Sequence, residues 1–102
     1  MMKYINEVDL QGEVGKVLGL RDGRVEYTLK TVELVESKVT GAVVASTVWH
    51  ICRESSVTGA AVKPGDQRHI SGSIEQARYV NQEGDRCYCY TVKVNRSRPV
   101  EL

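Results

Sequence analysis

Strand-like alternation of apolar and polar residues runs along nearly the whole chain and leaves no room for a long helix. Five strands are predicted, over residues 5–17, 24–34, 42–53, 67–79 and 86–95. Gly12 and Gly15 in the first strand and Gly72 in the fourth indicate bulges or sharp bends. The segment 54–65 has room for one helical turn around 59–62. Five bent strands with so short a connection predict an all-β fold, a five-stranded Greek-key barrel, with a small sandwich or an SH3-like barrel as alternatives.

The length of 102 residues predicts one domain spanning 1–102. Hydrophobic residues make up 41% of the chain and Phe is absent, so the core must rest on Val, Ile, Leu and Ala. The segment 96–102 contains Pro99 and is expected to form a loose tail. The net charge of +1 is unlike that of a strongly basic, non-specific duplex binder. Any affinity for nucleic acid must therefore come from local patches and from stacking.

The chain carries no pattern typical of export or of membrane insertion. Charged residues Lys3, Glu7 and Asp9 interrupt the N-terminal segment, which excludes the apolar core of a signal peptide. The longest run without a charge, 39–52, is too short to span a bilayer as a helix. A soluble cytoplasmic protein without a membrane partner is expected.

The cysteines and histidines do not have the spacing of a metal site or a catalytic site. Three cysteines, Cys52, Cys87 and Cys89, argue against a complete disulfide framework, and we expect reduced thiols. A metal would need His50 or His69 from elsewhere in the chain, and no paired ligand spacing supports one. No Ser-His-acid context and no phosphate-cradling loop is recognisable. We therefore expect a protein that is not an enzyme and has no cofactor or metal.

The single tryptophan lies in the middle of the third predicted strand. Alternation directs Trp49, Ile51 and Arg53 to one face, and Val48, His50 and Cys52 to the other. A large flat ring beside a cation on a polar-leaning face suits stacking against nucleic-acid bases. The alternative is a half-buried Trp49 that only covers the core. His50, on the opposite face, is expected to point inward or into a subunit interface.

Five short motifs follow one another along most of the chain. Residues 6–12 match N-x-V-x-L-x-G, 27–31 are Tyr-Thr-Leu-Lys-Thr, and 47–50 are Thr-Val-Trp-His. A Lys-Pro-Gly-Asp run at 63–66 precedes Ile-Ser-Gly at 70–72, and a hairpin pattern runs from Tyr79 through Gly84 to Tyr88. In this order the motifs resemble those of bacterial single-stranded DNA-binding proteins, and they extend from residue 6 to about residue 94.

The resemblance implies an OB-fold that binds single-stranded DNA without reading its sequence and that forms a dimer or tetramer through the first strand. It implies that Trp49 and Tyr79 stack on bases. The candidate DNA-binding residues are Trp49, Tyr79, Arg53, Lys30, Arg21, Arg24, Lys38 and Ile51. The implied role is in replication, recombination or repair.

Several positions depart from the family's pattern. Glu75 and Ala77, on the face of Tyr79, stand where basic residues are usual, and a carboxylate there is expected to repel phosphate. Ile51 also replaces a usual basic residue. The sequence ends at Leu102 without the family's long acidic-tipped tail, so a short variant with weaker DNA binding is expected. An OB-fold module that binds proteins, with weak or no DNA binding, is the alternative.

Two further aromatic residues, Tyr88 and Tyr90, share one face of the fifth predicted strand. We expect them to contribute to the core or to a subunit contact, and a second stacking surface is the alternative.

Overall fold

The computed structural model describes residues 2–100, apart from the side chain of Arg21. The elements are β1 Val8–Arg21, β2 Arg24–Glu36, β3 Val43–Ser55, α1 Ser56–Gly59, β4 Gln67–Val80 and β5 Arg86–Pro99. They form a closed barrel in the order β1-β2-β3-β5-β4, in which β3 and β5 are parallel and all other neighbours are antiparallel. The prediction of a five-stranded all-β barrel of the OB type is confirmed, and the sandwich alternative is wrong.

The connection between β3 and β4 contains a single helical turn. Ser55 precedes α1, and its Oγ accepts a hydrogen bond from the N–H of Val57 at 3.3 Å, which caps the turn. The turn was expected around 59–62 and lies instead at Ser56–Gly59. Gly59 packs against Val25, where an added Cβ would lie 3.0 Å from the valine Cβ. Among residues 2–100, no helix is long and apolar enough to cross a membrane.

The last strand is longer than its sequence pattern indicated. The sequence predicted a loose segment from Arg96, whereas β5 continues to Pro99 and pairs Arg96 with Ser71 and Pro99 with Arg68. The β4–β5 ladder shifts register between Ser71 and Gly72. Beyond this shift, Ser97 of β5 accepts a hydrogen bond from the Arg68 guanidinium at 2.7 Å. Residues 101–102 of the predicted tail lie outside the described residues.

The core is built from small apolar side chains and one tyrosine. The buried cluster comprises Val14, Val25, Tyr27, Leu29, Cys52, Val62, Ile70 and Val92. Glu54 is also buried, with only 1% of its surface exposed, and its Oε1 accepts a hydrogen bond from the Tyr27 hydroxyl at 2.8 Å. In the described part of the chain the other carboxylate oxygen has no partner. The barrel interior is therefore mainly apolar, and Glu54 with the Tyr27 hydroxyl forms a buried polar pair within it.

The first strand joins two different neighbours along its length. Residues Val8 to Glu13 pair with β4, and residues Glu13 to Arg21 pair with β2. The sequence predicted that Asn6–Val14 would be an unshielded edge. One side of this segment is in fact covered by β4, while no described strand pairs with Val8–Gly12 on the other side.

Candidate nucleic-acid interface

Trp49 lies on the outer face of the β2–β3 sheet. The strand pairs place Lys30 opposite Trp49, Thr28 opposite Ile51 and Glu26 opposite Arg53. The alternate residues Leu29 and Cys52 are buried in the core, as the sequence alternation predicted. The indole keeps 56% of its surface exposed, so most of the ring is available to a ligand.

Gly15 of β1 packs directly against the Trp49 ring. A Cβ added at Gly15 would collide with the Trp49 ring and would lie 2.9 Å from Thr28 Oγ1. The β1 ladder is irregular here, between Val14 and Val17, and the Lys16 N–H donates to Thr28 Oγ1 at 3.0 Å. A residue without a side chain is therefore required under the ring, and the bulge predicted from this glycine is present.

The β4–β5 hairpin brings Tyr79 to the same side of the molecule. Glu75, Ala77 and Tyr79 share one face of β4. Glu75 Oε1 lies 2.6 Å from Arg24 Nη1, and Arg24 shares the outer face of β2 with Lys30. This ion pair joins the Tyr79 face of β4 to the outer face of β2. The outer face of β2 and β3 that carries Trp49, together with the adjoining Tyr79 face of the hairpin, is here called the aromatic cleft.

Strand β5 contributes the buried Thr91 to the Tyr79 face of the hairpin. Thr91 is 2% exposed and Ala77, which lies on the same face, is 8% exposed, whereas Tyr79 remains 47% exposed. Thr91 Oγ1 donates to Glu75 Oε1 at 3.5 Å. The aromatic rings thus project from a well-packed surface. The neighbouring Cys87 raises the pKa of the Tyr79 phenol above its ordinary 10.0.

Three of the predicted DNA-binding cations are paired with carboxylates. Arg24 contacts Glu75 at 2.6 Å, Arg53 Nε contacts Glu26 Oε2 at 2.7 Å, and Lys30 Nζ lies 3.4 Å from Glu13 Oε2. The sequence predicted that Glu75 would repel phosphate, and the structure pairs its carboxylate with Arg24, which offsets the charge while the pair is intact. The Lys30–Glu13 pair is the most exposed of the three and contributes ~0–1 kcal/mol, so a phosphate can replace its carboxylate at little cost, whereas the Arg24–Glu75 and Arg53–Glu26 pairs are partly buried.

The other candidate residues take different positions. Ile51 is half-buried beside Trp49 on β3, where it widens the apolar part of the aromatic cleft. Lys38 is exposed in the turn that joins β2 and β3, where Ser37 Oγ accepts the N–H groups of Val39 and Thr40 at 3.3 Å. The side chain of Arg21 lies outside the described part of the structure.

The two histidines lie away from the aromatic cleft, and Cys52 is buried in the barrel, whereas Cys87 and Cys89 share the face of Tyr79. His50 points inward as predicted, with Nε2 2.9 Å from Thr31 Oγ1, and burial lowers its pKa. His69 lies between Asp9 at 2.7 Å and Arg98 at 2.9 Å on the β1–β4–β5 surface. Within residues 2–100 no three potential metal ligands come together.

Tyr88 and Tyr90 are exposed. At 54% and 72% exposure they do not enter the core, which was one of the roles expected, while a subunit contact and a second stacking surface stay predictions. Both lie on the face of the hairpin opposite Tyr79, and the Arg78 guanidinium lies 5.9 Å from the centre of the Tyr88 ring. The reason is that the hairpin projects past the end of the barrel, so this face covers no core.

No family model matches the chain. Three solved structures share its fold over nearly its whole length. A Plasmodium falciparum SSB in complex with ssDNA is 18% identical with a TM-score of 0.75, covering 96% of this chain and 95% of that one. The small single-stranded DNA-binding protein of Streptomyces coelicolor is 14% identical with a TM-score of 0.65, covering 97% and 96%.

The third structure is a deletion mutant of the single-stranded DNA binding protein from Thermus aquaticus, which is 15% identical with a TM-score of 0.74. It covers 95% of this chain, while the chain spans 51% of that protein's length. At these identities the likeness establishes the fold, which is the OB-fold of these proteins.

Proposed function

We propose that this protein binds single-stranded DNA without reading its sequence, by stacking bases on Trp49 and Tyr79. The observation that carries the proposal is the outward-facing Trp49, 56% exposed, whose ring lies against Gly15. The OB-fold shared with three single-stranded DNA-binding proteins, one of them solved with ssDNA, supports it.

Stacking explains why such a surface can tolerate any sequence. Every base presents a flat π face, and each base–aromatic contact contributes ~1–3 kcal/mol. The proposed affinity rests on two exposed rings, Trp49 and Tyr79, that can each take one base. Phosphates would contact Arg24, Arg53 and Lys30 by exchange with their carboxylate partners, together with Arg21 and Lys38. This role needs no catalysis, cofactor or metal.

The competing hypothesis of a protein-docking module rested partly on Glu75 as a charge that repels phosphate. That reason is weaker in the structure, because the Glu75 carboxylate lies 2.6 Å from Arg24. DNA binding is therefore the favoured interpretation, and the titration below distinguishes it from binding of a protein ligand.

Titration of the protein with oligo-dT, followed by intrinsic fluorescence, tests the proposal. Trp49 is the single tryptophan, so the signal reports one site. We expect quenching at low salt, similar midpoints for oligo-dT and for mixed sequences of equal length, and weaker binding as salt rises. Absence of quenching at low salt with both ligands would argue for the protein-docking function instead.

The charge balance of the cleft predicts that Glu75→Gln tightens binding. The change releases Arg24 from its ion pair, and one added phosphate contact steepens the salt dependence of log K by roughly 0.7 on single strands. Affinity and slope are measured by anisotropy of labelled oligo-dT across salt concentrations. Glu83→Gln is the matched control, because it removes the same charge from the exposed hairpin turn. If both variants change alike, net charge rather than Arg24 is responsible.

We further propose that two or more copies associate through β1. The unpaired side of Val8–Gly12 offers backbone groups that a second strand could pair with. On the covered side, Asn6 holds β4 by two hydrogen bonds with the Ile74 backbone, at 2.7 and 2.9 Å, which keeps the segment extended. Light scattering at ~100 µM is expected to give at least a dimer mass, since a contact of ~8 kcal/mol is then saturated. A monomer mass would refute the association.

A further inference from the structure

The reverse face of the β4–β5 hairpin combines aromatic rings and cations. Pairing in the ladder puts Arg78 opposite Tyr88 and Gln76 opposite Tyr90 on this face, away from Tyr79. The Arg86 side chain alternates to the same side and is exposed. We call Arg78, Arg86, Tyr88 and Tyr90 the reverse surface of the hairpin.

The charges of the reverse surface differ from those of the aromatic cleft. In the cleft each cation with a described side chain on β2 or β3 contacts a carboxylate. Among residues 2–100, neither Arg78 nor Arg86 lies within 4.0 Å of a carboxylate oxygen. Arg78 instead lies 5.9 Å from the centre of the Tyr88 ring, in the range of a cation–π contact. The reverse surface is therefore open to a polyanion.

A groove at the edge of the hairpin joins this surface to the Tyr79 face. Its volume is about 330 Å³, and its lining residues include Tyr79 from the cleft face and Arg78 and Tyr88 from the reverse surface. Tyr88 and Tyr90 are two residues apart on one strand, which spaces their rings by about 7 Å. A flexible strand that leaves Tyr79 can pass through the groove and reach both tyrosines.

We propose that the reverse surface is a second stacking site for single-stranded DNA, which continues the path of a strand bound in the aromatic cleft. This inference rests on the proposed function. Tyr88 and Tyr90 each offer a ring to one base, while Arg78 and Arg86 neutralise the phosphates between them. A second copy of the chain fits less well, because a symmetric contact through this face would bring the arginine pairs of both copies together.

Oligonucleotide length separates the two sites. Single OB-folds cover about 4–16 nucleotides, so dT of about 6 nucleotides fits within the cleft and dT of about 16 can also reach the reverse surface. The double variant Tyr88→Ala/Tyr90→Ala is expected to bind the short oligonucleotide as the wild type does. For the long one its affinity should fall at least about fivefold. Tyr4→Ala is the control, because Tyr4 is 87% exposed and lies outside both surfaces.

The outcomes separate this inference from the proposed function. Failure of the wild type to bind either length refutes the proposed function itself. Binding of the wild type at both lengths, with no loss in the double variant on the long oligonucleotide, refutes only the second site. An equal loss at both lengths also refutes it, since the tyrosines would then act through the cleft or the fold. A lower oligomer mass of the variant with unchanged DNA binding would assign the surface to a second copy.

Discussion

Raising the pH from 9 to 11 should lower the free energy of unfolding by ~4 kcal/mol. The cause lies inside the barrel, where Cys52 and Tyr27 are each 0% exposed and face one another across β2 and β3. Burial, with a smaller contribution from Glu54, raises the pKa of the Cys52 thiol from 9.0 to about 12. Burial and the hydrogen bond to Glu54 raise the pKa of the Tyr27 phenol above its ordinary 10.0.

The sign follows from which state binds more protons. Below pH 9 both groups are protonated in the folded and the unfolded chain, so neither group makes the free energy of unfolding depend on pH. Above pH 9 the unfolded chain loses the Cys52 proton while the folded barrel retains it, which costs ~1.4 kcal/mol per pH unit. Tyr27 adds a loss of the same sign above pH 10. Urea denaturation at several pH values under reducing conditions measures both slopes.

Substitution of Cys52 isolates its share of this alkaline loss. Cys52→Ala should lower stability at pH 8, because it leaves a small cavity, yet should remove the decline between pH 9 and pH 10. Cys89→Ala is the matched control, since Cys89 is a partly exposed thiol on β5, and should retain the decline. A decline that persists unchanged in Cys52→Ala would show that another group titrates.

Several parts of the fold that depend on local sequence were predicted correctly, although the helical turn lies three residues earlier than expected. Alternation along 42–53 put Trp49 outward and Cys52 inward, and the structure confirms both orientations. Gly15 and Gly72 indicated bends, and the strand ladders shift register next to each of them. These features follow from the period of the strand and from a missing Cβ, so neighbouring residues suffice to predict them.

The parts that failed depend on residues distant in sequence. The pairing of Arg24 with Glu75 joins positions 51 residues apart, and no local pattern indicates it. Residues 96–99 looked loose because they contain Pro99 and few apolar residues, but Arg68 and the edge of β4 hold them in place. The exposure of Tyr88 and Tyr90 depends on how far the hairpin projects past the barrel, which is a property of the closed sheet.

Trp49→Ala should weaken oligo-dT binding by ~1–3 kcal/mol while the barrel remains folded. The indole is 56% exposed and contacts Gly15 rather than the buried cluster, so its removal opens no core cavity. Because the change also removes the fluorophore, binding is followed by anisotropy of a labelled oligonucleotide, and folding by thermal denaturation. A loss of stability of ~3–5 kcal/mol, as for a buried aromatic, would show that Trp49 is part of the core instead.

Gly15→Ala tests the same stacking contact without deleting the ring. The new methyl group would collide with the indole, so the ring must tilt away from β1. We expect weaker oligo-dT binding and a shifted Trp49 emission maximum, with the tryptophan still present to report both. Ala45→Gly is the control, because it changes an exposed methyl group on the same face of β3. Gly19→Ala is unsuitable, because the φ of 131° at Gly19 favours glycine. Equal affinity for wild type and Gly15→Ala, despite a shifted emission maximum, would mean that bases do not stack on Trp49.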